Sequence, residues 1–209
     1  MELNKGKFIV IEGIEGCGKG TQTKFLSDFL SKKGYEVIYK KYPEYGFPIG
    51  DLLDQWLHKK FELNVETQAL LFFADFVKDK EAMENNLKSG KMVIGDRYFT
   101  GTIVYQYING LPLEKLLELA KLFDLRKPDL TVYIKISPEE SFNRKIKQKG
   151  IENLDRHEAD KKFLNSLYET YEKMSRENVF CEWTVIDGEK TPEEVFKNIL
   201  EVLNKKFGI

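Results

Sequence analysis

A lysine set among glycines near the N-terminus is the first feature of this sequence with clear chemical potential. The stretch IEGIEGCGKGTQ, residues 11–22, contains the pattern G-x-x-x-x-G-K from Gly13 to Lys19. Backbone N–H groups of such a turn, and the N-terminus of the helix that follows, attract phosphate, while the lysine reaches the terminal phosphates of a nucleotide. The hydroxyl expected directly after the lysine comes one residue late, because Gly20 precedes Thr21. The pattern predicts a nucleotide-phosphate site, and the alternative is a glycine turn with an incidental lysine.

An acid and a guanidinium follow a short apolar run further along the chain. Asp96 and Arg97 come directly after residues 92–95, a run typical of a buried strand. The carboxyl ends of parallel strands line the ligand crevice of open α/β sheets, so both side chains are expected to face a site there. Asp96 can hold Mg²⁺ through water, and Arg97 can bind a phosphate with two hydrogen bonds. A buried structural Asp–Arg pair is the alternative.

Alternating strand and helix patterns predict the elements that position these residues. Apolar, β-branched runs that indicate strands lie at residues 7–12, 36–40, 92–95, 130–136 and 184–186. Helical spacing of apolar residues fills the intervals between them. The alternation predicts an α/β fold, a five-stranded parallel sheet flanked by helices on both faces, in a single domain over residues 1–209. The phosphate-loop motif after the first strand would make this fold one of the P-loop NTPase type.

Composition and charge narrow the class of protein. The hydrophobic share of 42% and the formal net charge of -1 are those of a globular chain, and general nucleic-acid binders are more basic. The first apolar run is too short for a signal peptide or a membrane span, so we expect a cytoplasmic protein with no nucleic-acid or membrane partner. Two cysteines and two histidines give no zinc-ligand spacing.

Several motifs together resemble those of the thymidylate kinases, a family of P-loop nucleoside monophosphate kinases. Residues 94–106, IGDRYFTGTIVYQ, resemble the signature D-R-[YF]-x-x-S-x-x-A-[YF]-Q, and the opening FIVIEGIEG is similar as well. The similarity extends over nearly the whole chain. It implies transfer of the γ-phosphoryl group of ATP to dTMP, giving dTDP and ADP, with Mg²⁺ as cofactor, small-molecule nucleotides as partners and a homodimeric assembly.

The resemblance also assigns residues to the donor side of the reaction. Lys19 would hold the donor phosphates, Arg144 would lie against the adenine, and Thr21 and Asp96 would hold Mg²⁺. Binding of ATP would further involve residues of the loop and of the following helix, namely Gly13, Ile14, Glu15, Gly16, Cys17, Gly18, Gly20 and Gln22.

On the acceptor side the resemblance assigns a second group of residues. Glu15 would meet the 3′-hydroxyl of the acceptor sugar, and Arg97 would clamp the acceptor phosphate with Tyr45 nearby. Phe72 would stack on thymine, and Tyr105 would crowd the 2′ position and so favour a deoxyribose. Together these residues imply a second nucleotide site beside the phosphate loop.

A basic stretch, RKIKQKGIENLDR at residues 144–156, would be a solvated helix end or a mobile cover if taken alone. Family members without an arginine in the phosphate loop take their catalytic cation from a closing lid, and this loop has Gly16 at that position. The resemblance therefore implies a lid at about residues 144–157. Arg156 is the first candidate for the cation, followed by Lys147 and Lys149.

The base-reading part of the family pattern differs in this chain. Phe76 stands where the family has an arginine that bonds the thymine edge, and Lys80 is a possible substitute donor one turn later. Gly101 replaces the signature serine, so a hydroxyl near the base requires Thr100 or Thr102 to turn inward. These differences leave open a kinase for another deoxynucleoside monophosphate, and a catalytically inactive P-loop binding module is the second alternative.

Cys17 has two interpretations. It is a small residue that fits a tight loop, or it is a reactive thiol whose pKa is lowered by the helix N-terminus.

Overall fold

The computed structural model of the chain describes residues 6–154, 157 and 160–209. In this part of the chain five strands form one parallel sheet in the order β2-β3-β1-β4-β5. The strands are β1 Phe8–Glu12, β2 Val37–Lys41, β3 Met92–Asp96, β4 Leu130–Lys135 and β5 Trp183–Asp187. Each end lies within one residue of its predicted position, and the predicted parallel α/β fold is confirmed.

The central strands are apolar because both faces of the sheet are covered. Every residue of β1 and β3 is buried, in agreement with their continuous β-branched runs. β1 lies between β3 and β4, and its register pairs Ile11 with Asp96 on one side and Val132 on the other. The carboxyl ends of β1 and β3 therefore lie side by side, and the loops that follow them share one crevice.

Nine α-helices connect and cover the strands within the described residues. They are α1 Lys19–Lys32, α2 Pro48–Leu57, α3 Val65–Val77, α4 Lys80–Lys88, α5 Phe99–Ile108, α6 Leu113–Leu122, α7 Pro138–Lys149, α8 Lys161–Arg176 and α9 Pro192–Phe207. α1 packs on α9 through edge contacts of Phe25 and Phe29 with Phe196. In the described part of the chain, no helix has both the length and the apolar character needed to cross a membrane.

The first part of the predicted lid is helical. α7 begins after Ser137, whose hydroxyl accepts a hydrogen bond from the Glu140 N–H, and it continues without a break through residues 144–149. A short 3-10 helix, Ile151–Asn153, follows. The basic side chains at the start of this segment are thus held on a helix that packs beside the phosphate loop.

Candidate active site

The phosphate loop joins β1 to α1 and holds its lysine by backbone oxygens. The Lys19 Nζ donates to the carbonyl oxygens of Gly13 at 2.9 Å and Ile14 at 3.0 Å, and only 7% of the residue is exposed. Because α1 begins at Lys19, its free N–H groups and the positive end of its dipole point into the loop. The arrangement is suited to binding a polyphosphate.

Gly16 brings the loop into close contact with α7. Its φ of +74° favours glycine, and a Cβ there would lie 3.1 Å from the Ser141 carbonyl oxygen. The Ser141 hydroxyl in turn donates to the Glu15 carbonyl oxygen at 2.6 Å. A side chain at position 16 would require α7 to shift by a few tenths of an ångström, so the packing and the positive φ both favour glycine there.

Arg144 on α7 bridges the loop and the turn after β5. Its guanidinium donates to the carbonyl oxygens of Gly16 at 3.4 Å and Gly188 at 3.2 Å, and its Nε is bound by Glu140. A planar cation therefore lies between the two backbone segments that border the donor side.

An ion pair stands in front of the lysine. The Arg97 Nη2 donates to the Glu15 Oε1, and the Lys19 Nζ lies 3.9 Å from the other carboxylate oxygen. Although burial opposes its charge, Arg97 and Lys19 hold the pKa of Glu15 well below its usual range. Burial also opposes the charge of Arg97, but Glu15 raises the pKa of the guanidinium further, so both groups stay ionised.

A groove extends from the loop on the donor side. Of the residues predicted for ATP and Mg²⁺, those that line the groove are Glu15, Gly16, Gly18, Lys19, Gly20, Thr21, Asp96 and Arg144. Gly13 and Ile14 lie behind them and hold the lysine. Lys149 also lines the groove, whereas Lys147 does not. Arg156 lies outside the described residues.

Asp96 and Thr21 offer a sparse set of metal ligands. Asp96 is 5% exposed, its Oδ2 accepts a long hydrogen bond from Tyr39, and its carboxylate faces the start of α1 at Gly20. The described residues contain no group of three or more His, Cys, Asp or Glu that could hold a metal ion. One carboxylate and one hydroxyl fit Mg²⁺, which keeps several waters and is bound largely by substrate phosphates.

A second pocket opens on the other side of the ion pair. All seven residues predicted for acceptor binding line it: Tyr45, Phe72, Phe76, Arg97, Gly101, Thr102 and Tyr105. Including its open mouth it has a volume of about 610 Å³. Glu15 and Arg97 line both this pocket and the donor groove, so the two cavities meet at the ion pair.

The far end of the acceptor pocket is aromatic. Phe76 is 2% exposed and packs edge-on against Tyr42, with ring centroids 4.9 Å apart, and at a tilt against Tyr98, 5.0 Å away. Phe72 contacts Trp56 edge-on at 6.2 Å. The predicted ring for base stacking is therefore fixed in a wall of other rings.

Two polar side chains of α5 lie at this aromatic end. Thr102 lines the pocket, whereas the Thr100 hydroxyl donates to Glu12 at 2.8 Å and faces the core. Gln106 also lines the pocket; it is 1% exposed, and its Oε1 has no hydrogen-bond partner among the described residues. Sequence reasoning missed Gln106, although it is the final residue of the D-R-Y signature.

Three sequence-based expectations are corrected. Lys80 is not a donor to the base, because its Nζ binds the Phe123 carbonyl oxygen outside the pocket. The Gln22 side chain leaves the donor groove and donates to the Pro192 carbonyl oxygen of α9 at 2.8 Å. Cys17 is 2% exposed, and burial raises the pKa of its thiol, so the reactive-thiol interpretation is wrong and the small-residue interpretation holds.

His157 is a further pocket residue that sequence reasoning missed. It lines the acceptor pocket, and its ring stacks on Phe163 with centroids 4.8 Å apart. No spacing signal marks it, since its place in the pocket depends on how the chain after α7 returns to α8.

Comparison with known proteins gives a consistent result. The family profile described as thymidylate kinase matches residues 11–199. A thymidylate kinase from Thermoanaerobacter sp. (strain X514) is 36% identical over 209 residues, covering 96% of this chain and 98% of the relative. A probable thymidylate kinase from Thermococcus kodakarensis (strain ATCC BAA-918 / JCM 12380 / KOD1) is 32% identical over 212 residues, with 96% and 98% coverage.

A solved structure is similar over the same length. The thymidylate kinase from Candida albicans, described as having broad substrate specificity, superposes with a TM-score of 0.75 and 26% identity, covering 96% of this chain and 92% of that one. Together with the phosphate loop, the ion pair and the aromatic acceptor pocket, these matches show that the chain belongs to the thymidylate kinase family.

Proposed function

We propose that the protein transfers the γ-phosphoryl group of ATP to dTMP, giving ADP and dTDP. The observation that carries this proposal is the meeting of two cavities at Glu15 and Arg97. A donor that binds its phosphates on the loop and an acceptor seated among the rings would face each other there. Relatives named thymidylate kinase support dTMP as the acceptor.

The residues at the junction fit a direct transfer. An oxygen of the acceptor phosphate attacks the γ-phosphorus in line while the bond to the β–γ bridging oxygen breaks, and ADP carries that oxygen away. No protein side chain is phosphorylated. Lys19 and the N-terminus of α1 stabilise the charge on the transferred group, and Arg97 holds the acceptor phosphate. Phosphoryl transfer depends mainly on such positioning and charge stabilisation.

Glu15 has two tasks in this scheme. Its carboxylate orients Arg97 through their ion pair, and the residue lines the pocket where the 3′-hydroxyl of the acceptor would lie. Its lowered pKa keeps it a hydrogen-bond acceptor at neutral pH.

Asp96 and Thr21 would hold Mg²⁺, which when bound neutralises charge on the β- and γ-phosphates. A cation from the end of α7 or from the segment after it would complete the site. Lys149 lines the donor groove and is the described candidate, and Arg156 is the candidate outside the described residues. The adenine would lie beside Arg144 and the Gly188 turn.

At the base end we propose that thymine is recognised by side chains of α5 and by the aromatic rings of the pocket. Phe72 provides a face for stacking, and Phe76 closes the end of the pocket with an apolar surface. Gln106 and Thr102 provide the polar contacts, because a buried amide oxygen with no partner among the described residues is best satisfied by a ligand N–H. The Gln106 Oε1 thus takes the place of the missing arginine as the group that reads a base edge.

We also propose a homodimer. Exposed apolar side chains gather near the end of α6: Leu122 is 75% exposed, Phe123 is 45% exposed, and Leu70 of α3 is 56% exposed. The Phe123 ring contacts Phe73, which lies on α3 one turn from Leu70, so the patch spans two helices. Sedimentation is expected to give twice the chain mass, and Leu70→Glu with Leu122→Glu is expected to give the monomer mass.

The transfer itself is tested by product analysis. Purified protein with ATP, Mg²⁺ and dTMP is expected to form dTDP and ADP in equal amounts, and neither product is expected when dTMP is omitted. A binding module would bind ATP without forming dTDP. Tight binding of both nucleotides with no dTDP would contradict the proposed function.

A further inference from the structure

Glu12, the last residue of β1, is a buried carboxylate that the transfer mechanism does not use. It is 0% exposed and lines neither the donor groove nor the acceptor pocket. Four donors converge on it. Its Oε1 accepts from the Tyr98 N–H at 3.0 Å, the Thr100 hydroxyl at 2.8 Å and the Gly101 N–H at 2.8 Å, and its Oε2 accepts from the Tyr171 hydroxyl at 3.0 Å.

These contacts replace a missing helix cap. Tyr98 is the N-cap residue of α5, and its own side chain makes no capping hydrogen bond. The first N–H groups of a helix have no partner within the helix and need an acceptor from elsewhere. Glu12 provides that acceptor from a strand more than eighty residues away in sequence, and its negative charge matches the positive end of the helix dipole.

The helix that Glu12 caps forms one side of the acceptor site. Thr102, Tyr105 and Gln106 lie on α5 and line the pocket. Arg97 stands directly before the capped turn, with a φ of +69° that is uncommon for a residue other than glycine. Such a backbone persists only when its surroundings hold it, and the bond from the next N–H, that of Tyr98, to Glu12 is part of that hold.

Tyr171 links the same carboxylate to α8. Its ring stacks on Tyr133 of β4 with centroids 5.0 Å apart and an angle of 15° between the ring planes. Gly101 leaves room for the carboxylate, because a Cβ at this position would lie 2.8 Å from the Glu12 Oε2. If the serine of the family signature stood at position 101, its side chain would therefore push against Glu12. This contact gives a structural reason for glycine at that position.

The position of Glu12 in the core is unfavourable for a charged carboxyl. Burial raises its pKa, although Arg97 and the Thr100 hydroxyl oppose the shift. A raised carboxyl pKa gives a stabilising contribution below the unfolded value, and this contribution is lost as the pH rises through the folded value. Burial thus opposes the charged form of this carboxyl, a penalty that is typical of groups with a functional role.

We propose that Glu12 is a positioning residue of the phosphoryl transfer, which fixes the start of α5 and thereby places Arg97 and the base-reading side chains for the acceptor. This inference rests on the proposed function. It assigns no contact between Glu12 and a nucleotide. Its effect is on the acceptor site, because the capped helix forms one side of the acceptor pocket, while α1 and the phosphate loop hold the donor.

Two stacked tyrosines provide a matched pair of variants. Tyr171→Phe removes the hydroxyl that binds Glu12, and Tyr133→Phe removes a hydroxyl that has no hydrogen-bond partner among the described residues. In steady-state assays we expect Tyr171→Phe to raise the KM for dTMP about tenfold, the fold-change that corresponds to one hydrogen bond to a charged group. The KM for ATP should stay unchanged, and Tyr133→Phe should change neither constant.

Variants of Glu12 itself separate the effect of side-chain length from the effect of charge. Glu12→Gln keeps the length of the side chain and an oxygen that can accept from the three α5 donors, so the KM for dTMP should stay within about threefold of wild type, with an unchanged or higher Tm at pH 7. Glu12→Asp keeps the charge but is one methylene shorter, so it should raise the KM for dTMP at least tenfold, as the loss of a charged hydrogen bond does.

The outcomes are distinct. A purely structural role predicts a lower Tm with unchanged KM values in Tyr171→Phe, and that result would overturn the proposal even if Glu12→Asp fails to fold. Equal KM increases for ATP and dTMP would overturn it as well. If the wild-type protein forms no dTDP, the proposed function fails instead, because then no KM for dTMP exists to compare.

Discussion

The phosphate end and the base end of the active site have different compositions. At the phosphate end, Arg97, Glu15 and Lys19 form a chain of paired charges, each fixed by another charge or by backbone oxygens. At the base end, Phe72 and Phe76 lie among aromatic rings, and the Gln106 Oε1 has no partner in the described part of the chain. The phosphate end is complete without a ligand, whereas the base end has a polar atom that a ligand would satisfy.

This difference separates two properties of the site. Paired charges that surround the transferred group determine the rate, because their field acts on charge in the transition state. An apolar wall with one amide determines the choice of base, because a site that bonds a polar edge rejects ligands that leave the bond unmade. Changes at the phosphate end should therefore lower activity with every acceptor, and changes at the base end should alter the preference among acceptors.

Removing Lys19 should have the largest effect. Lys19→Ala takes away the cation that faces the donor phosphates, and we expect kcat to fall by about 10²–10³-fold with dTMP and with any other acceptor that is used. Lys24→Ala is the matched control, since Lys24 lies on the exposed face of the same helix. Measured kcat values within a factor of about ten of wild type for Lys19→Ala would show that the loop lysine does not stabilise the transfer.

Arg97→Lys should have the next largest effect, and mainly on the acceptor. Lysine keeps the charge but loses the two-pronged geometry that binds a phosphate and Glu15 together, so the KM for dTMP should rise on the order of a hundredfold. The KM for ATP should change little. Arg126→Lys is the control, because Arg126 pairs with Glu84 and Asp129 away from both cavities. An increase confined to the KM for ATP would place Arg97 on the donor side instead.

Gln106→Met tests the base end. We expect a smaller loss of activity than in the Lys19 and Arg97 variants, together with a gain in stability. The methionine fills a similar volume without the unpaired oxygen, so the free energy of unfolding should rise by about 1 kcal/mol while kcat/KM for dTMP falls about tenfold. Gln68→Met is the matched control: Gln68 is buried on α3 but lines neither cavity, and its amide binds the Leu63 carbonyl oxygen. A less stable Gln106→Met variant with full activity would mean that the amide is structural.

The thiols should give the smallest effect. Burial raises the pKa of Cys17, and burial also raises the pKa of Cys181 to about 11, so little thiolate exists in either side chain at pH 7.5. Iodoacetamide at that pH should leave the folded protein unmodified and fully active, as measured by mass spectrometry and by dTDP formation. Both cysteines should react after unfolding in guanidinium chloride. Rapid alkylation of Cys17 in the folded protein with loss of activity would restore the reactive-thiol interpretation.

The phosphate end could be predicted from the sequence because its residues are close together along the chain. The loop from Gly13 to Lys19 follows a strand and opens a helix, so residue spacing alone defines the anion site. Arg97 and Asp96 were found in the same way, since the end of a parallel strand has a known position in the sheet.

The base end could not be fully predicted from the sequence because it depends on contacts between elements that are distant along the chain. Within the described residues, the Gln106 Oε1 lacks a hydrogen-bond partner because no neighbouring element presents a donor to it, and the orientation of the Thr100 hydroxyl depends on Glu12, which lies on β1. Gln22 shows the same limit, because the carbonyl that draws it away belongs to α9. Motif spacing specifies which residues share a turn, and it does not specify which distant polar atom satisfies a side chain.

The acceptor preference of the wild-type protein tests the central claim most directly. With saturating ATP and Mg²⁺, kcat/KM should be measured for dTMP, dUMP, dCMP, dGMP and dAMP in one series. If Phe72, Phe76 and Gln106 form the base end of a thymidylate kinase site, we expect the highest kcat/KM for dTMP. A higher kcat/KM for any of the other four nucleotides would contradict it.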